Sequence, residues 1–396
     1  MKETLLKTGK LIVGDGRTMD NVSVLIKGGK IIEVGSEVSN TPDTTTLDYS
    51  DRVVMPGLID SHTHVGIVAF NDPVERNMLD EHRAIRAAKN VEQLLQYGVT
   101  TFADAGARGN ISFGVRDAIE AGLVLGPRMI VCGRMLTITG GRAPLSDANE
   151  ADGPDAARKA ARQEITRGAD FIKVAASSLI LDGGVVQFTM EELKAITEEA
   201  HKVGLLVKSH AYGDEGVRNT ILAGADVVVH GHLLTQHNID LIKGHNALLE
   251  PTLVSFYIPP GIEDIGLPES EIKQLKELFP QLEEGFRNAV KQGIEVVAGS
   301  DSGDSPLVPF GPSTMRELEV MVQLGGMTEM DAIVAGTKNA ARSLNIDSFV
   351  GTLEPGKSAD LLVLARNKDP LSDISILQHL DAVERVILKG KTVVKR

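Results

Sequence analysis

Six side chains that could bind a divalent metal stand at the ends of short apolar runs in a chain of 396 residues. His62 and His64 fall in "GLIDSHTHV", Lys173 in "ADFIKVAAS", His210 in "LVKSHAYG", His230 in "VVVHGH" and Asp301 in "AGSDSG". Imidazole and carboxylate suit zinc-like ions, and an aspartate beside an ion can also move a proton. Placement is as informative as type. Runs such as 227–229 before His230 and 294–298 before Asp301 read as buried parallel strands, so their ends would bring the ligands to one mouth of a closed sheet.

Each residue also has a plainer reading. His62 and His64 are two apart on an extended segment and point the same way, which lets them share an ion or simply form a polar strand edge. An ammonium cannot bind a metal, but desolvation favours the neutral amine of Lys173, which can add carbon dioxide. The resulting carbamate is in effect a long carboxylate able to bridge two ions; the alternative is an ordinary ion pair with Asp301. His210 and His230 fit zinc if a neighbouring acceptor fixes the tautomer, or else are satisfied core histidines. Asp301 could instead cap a following helix. His232 faces the same way as His230 by strand alternation, although Gly231 suggests that the strand is already turning, and it is a candidate either for supporting a ligand from behind or for contact with substrate. His82, His201, His237, His245 and His379 lie in helical or loop stretches and read as solvated or structural.

Strand-like runs at 53–59, 99–103, 129–136, 171–175, 205–209, 227–229, 247–253 and 294–298 alternate with helical segments. One helix opens on Pro154-Asp155, another on Thr189 as N-cap and runs towards Gly204. Eight such units close most simply into a (β/α)8 barrel with its site at the C-terminal strand ends. An open doubly wound sheet fits less well, because no Gly-rich phosphate fingerprint follows the first strand and the candidate ligands recur on strands one, four, five, six and eight. The two ends of the chain carry further short β-runs with glycines at the bends, too short to be stable as isolated hairpins. The expected architecture is therefore an α/β fold: a barrel over 57–336 and a small β-sandwich built from 1–56 with 337–396.

A net charge of -13 disfavours nucleic acid and anionic membranes as partners. Hydrophobic content of 42% and charged content of 24%, with no apolar run of spanning length, argue against a transmembrane protein. The opening residues have no signal-peptide h-region, so a cytoplasmic protein is expected. The single cysteine, Cys132, excludes an intrachain disulfide and a cysteine-based metal site. A homo-oligomer is expected.

Taken together, "PGLIDSHTH", "IKVAAS", "SHAY", "HGH", "GSDSG" and the closing "GTLEPGKSADLLVL" resemble the amidohydrolase superfamily over essentially the whole chain, nearest its prolidase-like, carboxypeptidase-like and imidazolonepropionase-related branch. The resemblance implies two zinc ions, with His62, His64 and Asp301 at one, His210 and His230 at the other, and carbamylated Lys173 bridging. It implies hydrolysis of an amide by a metal-activated water, with Asp301 passing the proton to the leaving amine and an N-acyl amino acid or dipeptide as substrate. Tyr212 looks like the family tyrosine that hydrogen-bonds the substrate. Where many relatives carry Gly-Gly-His-Gly, this chain has Gly140-Gly141-Arg142-Ala143, and Arg142 would offer a fork to a substrate carboxylate or lie on the surface. The rival enzyme is a mononuclear deaminase or cyclic-amide hydrolase, against which stands Gly213 where such deaminases place a glutamate. A non-catalytic scaffold on the same barrel would be expected to have lost ligands, and none is missing.

Overall fold

The computed structural model describes residues 3–38, 42–67, 77–142, 148–259 and 266–396. Ala143, part of the departure from the family pattern, and parts of the loops after the first and seventh barrel strands lie outside these residues. In chain order the strands are β1 (Glu3–Ile12), β2 (Thr18–Lys27), β3 (Lys30–Gly35), β4 (Thr45–Pro56), β5 (Leu58–Thr63), β6 (Val99–Asp104), β7 (Arg128–Val131) and β8 (Met135–Thr137). There follow β9 (Ala148–Glu150), β10 (Ile172–Ala175), β11 (Val207–Tyr212), β12 (Val227–His232), β13 (Leu248–Glu250), β14 (Leu361–Leu364), β15 (Val383–Leu388) and β16 (Lys391–Lys395).

Parallel pairing dominates the middle of the chain. One sheet runs β13-β12-β11-β10-β8-β9 and a second β5-β6-β7. Backbone bonds bridge them on both sides. Asp170 N–H donates to the Val131 carbonyl at 2.7 Å, and on the far side the 295–302 segment donates and accepts bonds with both Leu249 and residues 61–64. Every residue of β5, β6, β10, β11, β12 and β13 is buried, which is why these runs read as continuously apolar rather than alternating.

Helices lie between the strands as the sequence predicts. Pro154–Thr166 begins on its proline, and Met190–Lys202 begins behind a complete capping box of Thr189 and Glu192. The differences lie in strand extent and number: the first run, 53–59, is divided between β4 of the terminal sheet and β5, and β9 has no counterpart among the expected runs. The third run splits into β7 and β8, and the eighth contributes only a bridge at Val296 and one at Ser302 instead of a full strand.

The two ends of the chain do fold together, as one hydrogen-bonded sheet of seven strands ordered β16-β15-β14-β4-β1-β2-β3. Its alternation is used twice. Leu6, Leu11, Val54, Leu361 and Val363 share a small core of their own, while Ile12, Val53, Met55, Leu362 and Leu364 join the large core of the α/β body. Among the described residues no helix is long and apolar enough to cross a membrane.

Candidate functional site

The sequence candidates converge. His62 lies near the end of β5 and His64 directly follows it, Lys173 sits within β10, His210 within β11 and His230 within β12, all buried, and Asp301 follows the short eighth segment. His62 Nε2 and His64 Nε2 each lie 3.3 Å from Asp301 Oδ1. One donor atom from each of these three falls within 4.8 Å of the others. Lys173 Nζ is 3.1 Å from His62 Nε2. No direct ion pair joins Lys173 to Asp301 among the described residues, although the two charges attract each other across the site. His230 Nε2 and His210 Nδ1 face each other at 2.9 Å.

Backbone turns aim these groups. His230 and Asp301 both adopt left-handed conformations, with φ of 65° and 57°, which L-residues hold only where surrounding contacts over-determine them. At Asp301 those contacts are its N–H on the His62 carbonyl at 2.9 Å and the neighbouring Ser302 carbonyl accepting from His64 N–H at 2.7 Å. Gly231, at φ 59°, is the extra residue of a bulge, because Ala211 pairs with His230 and Tyr212 with His232. Strand alternation therefore does not place His232, as the glycine hinted. Gly299 allows the closest approach: a Cβ there would meet His62 Cβ at 2.7 Å.

Second partners fix the rings. His62 Nδ1–H donates to Glu250 Oε1 at 2.7 Å, so Nε2 carries the lone pair towards Lys173 and Asp301. His64 Nδ1–H donates to the Gly106 carbonyl at 3.0 Å, and His230 Nδ1 lies 2.6 Å from Thr252 Oγ1. Glu250 is itself held by Lys208 Nζ at 2.6 Å and by the Ser61 hydroxyl, with both charges fully buried. The sequence reading passed over Glu250, Lys208 and Thr252. Glu250 stands inside the seventh run, 247–253, rather than at its end, so the position that marks the histidines did not mark it.

Burial governs the protonation states. It depresses His62, His210 and His230 well below the ordinary imidazole range, with the Lys173 charge adding to each, so all three are neutral imidazoles at physiological pH. Burial also lowers Lys173 to about 8, against the pull of Glu250 and Asp301. For Asp301 burial acts upward, but hydrogen bonding to His64 and the charges of His64, Lys173 and Arg142 outweigh it and keep the carboxyl ionised.

The substrate candidates line the same space. Tyr212 is buried and stacks on His230 with ring centroids 4.9 Å apart and planes within 9°. His232 Nε2–H donates to the Pro251 carbonyl at 2.8 Å, which leaves its buried Nδ1 without a partner among the described residues. Arg142 is not on the surface: its Nη2 lies 2.8 Å from Asp304 Oδ1, with only 12% of the side chain exposed.

Comparison with known proteins gives the family. Residues 53–393 match the amidohydrolase family. The chain belongs to that family. It is 31% identical to ochratoxinase from Aspergillus niger, over 98% of this chain and 86% of that protein. The crystal structure of A. niger ochratoxinase superposes with a TM-score of 0.88 at 29% identity, covering 100% of this chain and 96% of that one. A Xaa-Pro dipeptidase solved with methionine in its active site gives 0.86 at 29% identity over 99% of both chains. A Bifidobacterium longum protein provisionally named a prolidase gives 0.85 at 32%, over 100% of this chain and 95% of that one. This amidohydrolase is accordingly a hydrolase acting on carbon-nitrogen bonds.

Proposed function

We propose that the protein is a metal-dependent amidohydrolase that cleaves the amide of an N-acyl amino acid or dipeptide, on a closed (β/α)8 barrel carrying a β-sandwich of residues 1–56 and 337–396. Closure is supported by the backbone bonds on both sides of the parallel sheets, and the sandwich by the separate small core on one face of the terminal sheet. The observation that carries the functional reading is the buried Lys173 amine 3.1 Å from His62 Nε2, on the side where His62, His64 and Asp301 gather. A lysine among neutral histidines makes chemical sense as a carbamate, which turns a repelled cation into an anionic ligand.

The donor set fits two divalent ions, zinc by its nitrogen and oxygen chemistry. His62, His64 and Asp301 would hold one and His210 and His230 the other, with carbamylated Lys173 shared. Bound there, such ions would supply Lewis acidity to polarise the carbonyl and lower the pKa of water. The rest falls to side chains. Asp301, ionised and buried, takes the proton of the attacking water and returns it to the leaving nitrogen. His232 Nδ1 and the Tyr212 hydroxyl offer polar contacts to the bound amide, and Arg142, steadied by Asp304, brings a guanidinium charge that suits a substrate carboxylate. The relatives named for dipeptides favour substrates with that carboxylate.

The test is elemental analysis joined to a panel of dipeptides, N-acyl amino acids, carbamates and lactams. About two zinc-like ions per chain and preferential turnover of carboxylate-bearing amides are expected. A single ion together with turnover of cyclic amides alone would overturn the proposal.

A further inference from the structure

One helix, Pro312–Gln323, touches the underside of both halves of this site without contributing to either. Glu317, fully buried on its inner face, accepts the backbone N–H of Leu253 on Oε1 at 3.0 Å and that of Val254 on Oε2 at 2.7 Å. Those amides open the short 3-10 turn Leu253–Ser255, whose first N–H groups have no partner inside the turn. The residue before it, Thr252, is held at φ 47° and meets His230 Nδ1 through its hydroxyl, while the carbonyl of Pro251 receives the N–H of His232. One helical turn earlier and on the same face, Thr314 donates its hydroxyl to Asp60 Oδ2 at 2.6 Å. Asp60 in turn accepts the N–H of His62 at 3.2 Å, the N–H of Ser300 at 3.0 Å and the Ser300 hydroxyl at 2.6 Å.

No salt-bridge cation meets Glu317 or Asp60 among the described residues. A buried carboxyl without a counter-charge is costly, and burial lifts Glu317 to about 8 and Asp60 to about 6. Packing alone would favour an apolar residue at such places, so their hydrogen bonds are what distinguish them.

We propose that Glu317 is a positioning residue that fixes His230 and His232 through the bend at 251–255, and that with Thr314 it makes this helix a common brace for the two halves of the site. The metal consequences rest on the proposed function; the mechanical ones do not. Glu317→Gln keeps the volume but replaces an oxygen, which accepts an N–H with or without its proton, by an NH2 group that cannot. Thr314→Val keeps the shape and removes the donor to Asp60. Met321→Ala, buried on the same helix and outside these bonds, is the packing control.

Hydrogen exchange followed by mass spectrometry, with zinc retention during dialysis against a graded chelator, separates the roles. Glu317→Gln should speed exchange at 252–256 by about tenfold or more with 300–302 unchanged, and Thr314→Val should do the reverse. Each should weaken zinc retention by roughly 10- to 100-fold, whereas Met321→Ala should keep its zinc even where its thermal midpoint falls as far. Wild-type exchange in both regions for both polar variants would overturn the brace. Exchange rising evenly in all three variants, in step with lost stability, would overturn it too. Should the unaltered protein take up no zinc, the metal reading fails and the regional exchange pattern alone decides the brace. If Glu317→Gln does not fold, Thr314→Val against Met321→Ala decides it by the same regional contrast.

Discussion

Lys173 is the residue whose chemistry is least ordinary. Lys173→Ala should remove most of the activity and part of the metal, and short carboxylates such as acetate or propionate should restore some of both; full activity without them would dismiss the carbamate. Asp301→Asn should lower kcat by about a thousandfold while leaving the circular dichroism spectrum unchanged, because the amide keeps the shape but cannot take a proton. An unaltered rate would mean that another group is the base. Glu250→Gln should cost about 10- to 100-fold in zinc affinity through the loss of orientation at His62, read by chelator competition. The histidines and Asp301 were legible in the sequence because a polar residue ending an apolar run is conspicuous. Glu250, Asp60 and Glu317 were not, since a carboxylate in a short strand or helix looks solvated until the fold shows it fully enclosed.

Among the elements, the parallel strands were legible from their apolar runs, and two helix starts from Pro154 and Thr189. Strand ends were harder to read. Leu205 and Leu206 precede β11 rather than open it, and the eighth run is reduced to bridges because its residues turn at once into the 299–303 loop. Gly299 serves that turn: Gly299→Ala would press a methyl on His62 and Glu250, and a fall in both zinc content and thermal midpoint is expected. The Pro312–Gln323 helix brings its own pH dependence. Burial raises the folded-state pKa of Glu317 to about 8 from an ordinary 4.5, so the folded protein holds that proton more tightly than the unfolded chain. Its stabilising effect is complete below about 4.5 and is lost as pH rises towards 8. In chelator-stripped protein the thermal midpoint of the wild type relative to Glu317→Gln should therefore fall between pH 5 and pH 8, and a constant difference would contradict the assignment.

At the scale of the molecule, the short β-runs at the two ends suggested that they would combine into a small sandwich. They meet as one sheet whose centre, β4 beside β14, packs one face on the α/β body and the other on a core of its own. Deleting β14 to β16 would strip partners from both cores and expose the edge of β4, and such a truncated chain should be insoluble or aggregated in sedimentation rather than an active barrel.

The same adjacency bears on how the chain comes into being. β4 ends at Pro56 and its neighbour β14 begins at Leu361, so roughly 300 residues must leave the ribosome before that edge is covered. At about 5–20 residues per second the wait is on the order of 15 to 60 s, during which the nascent chain shows an unpaired strand to its surroundings. Chaperone dependence during translation should therefore track the speed at which the roughly 300 intervening codons are read.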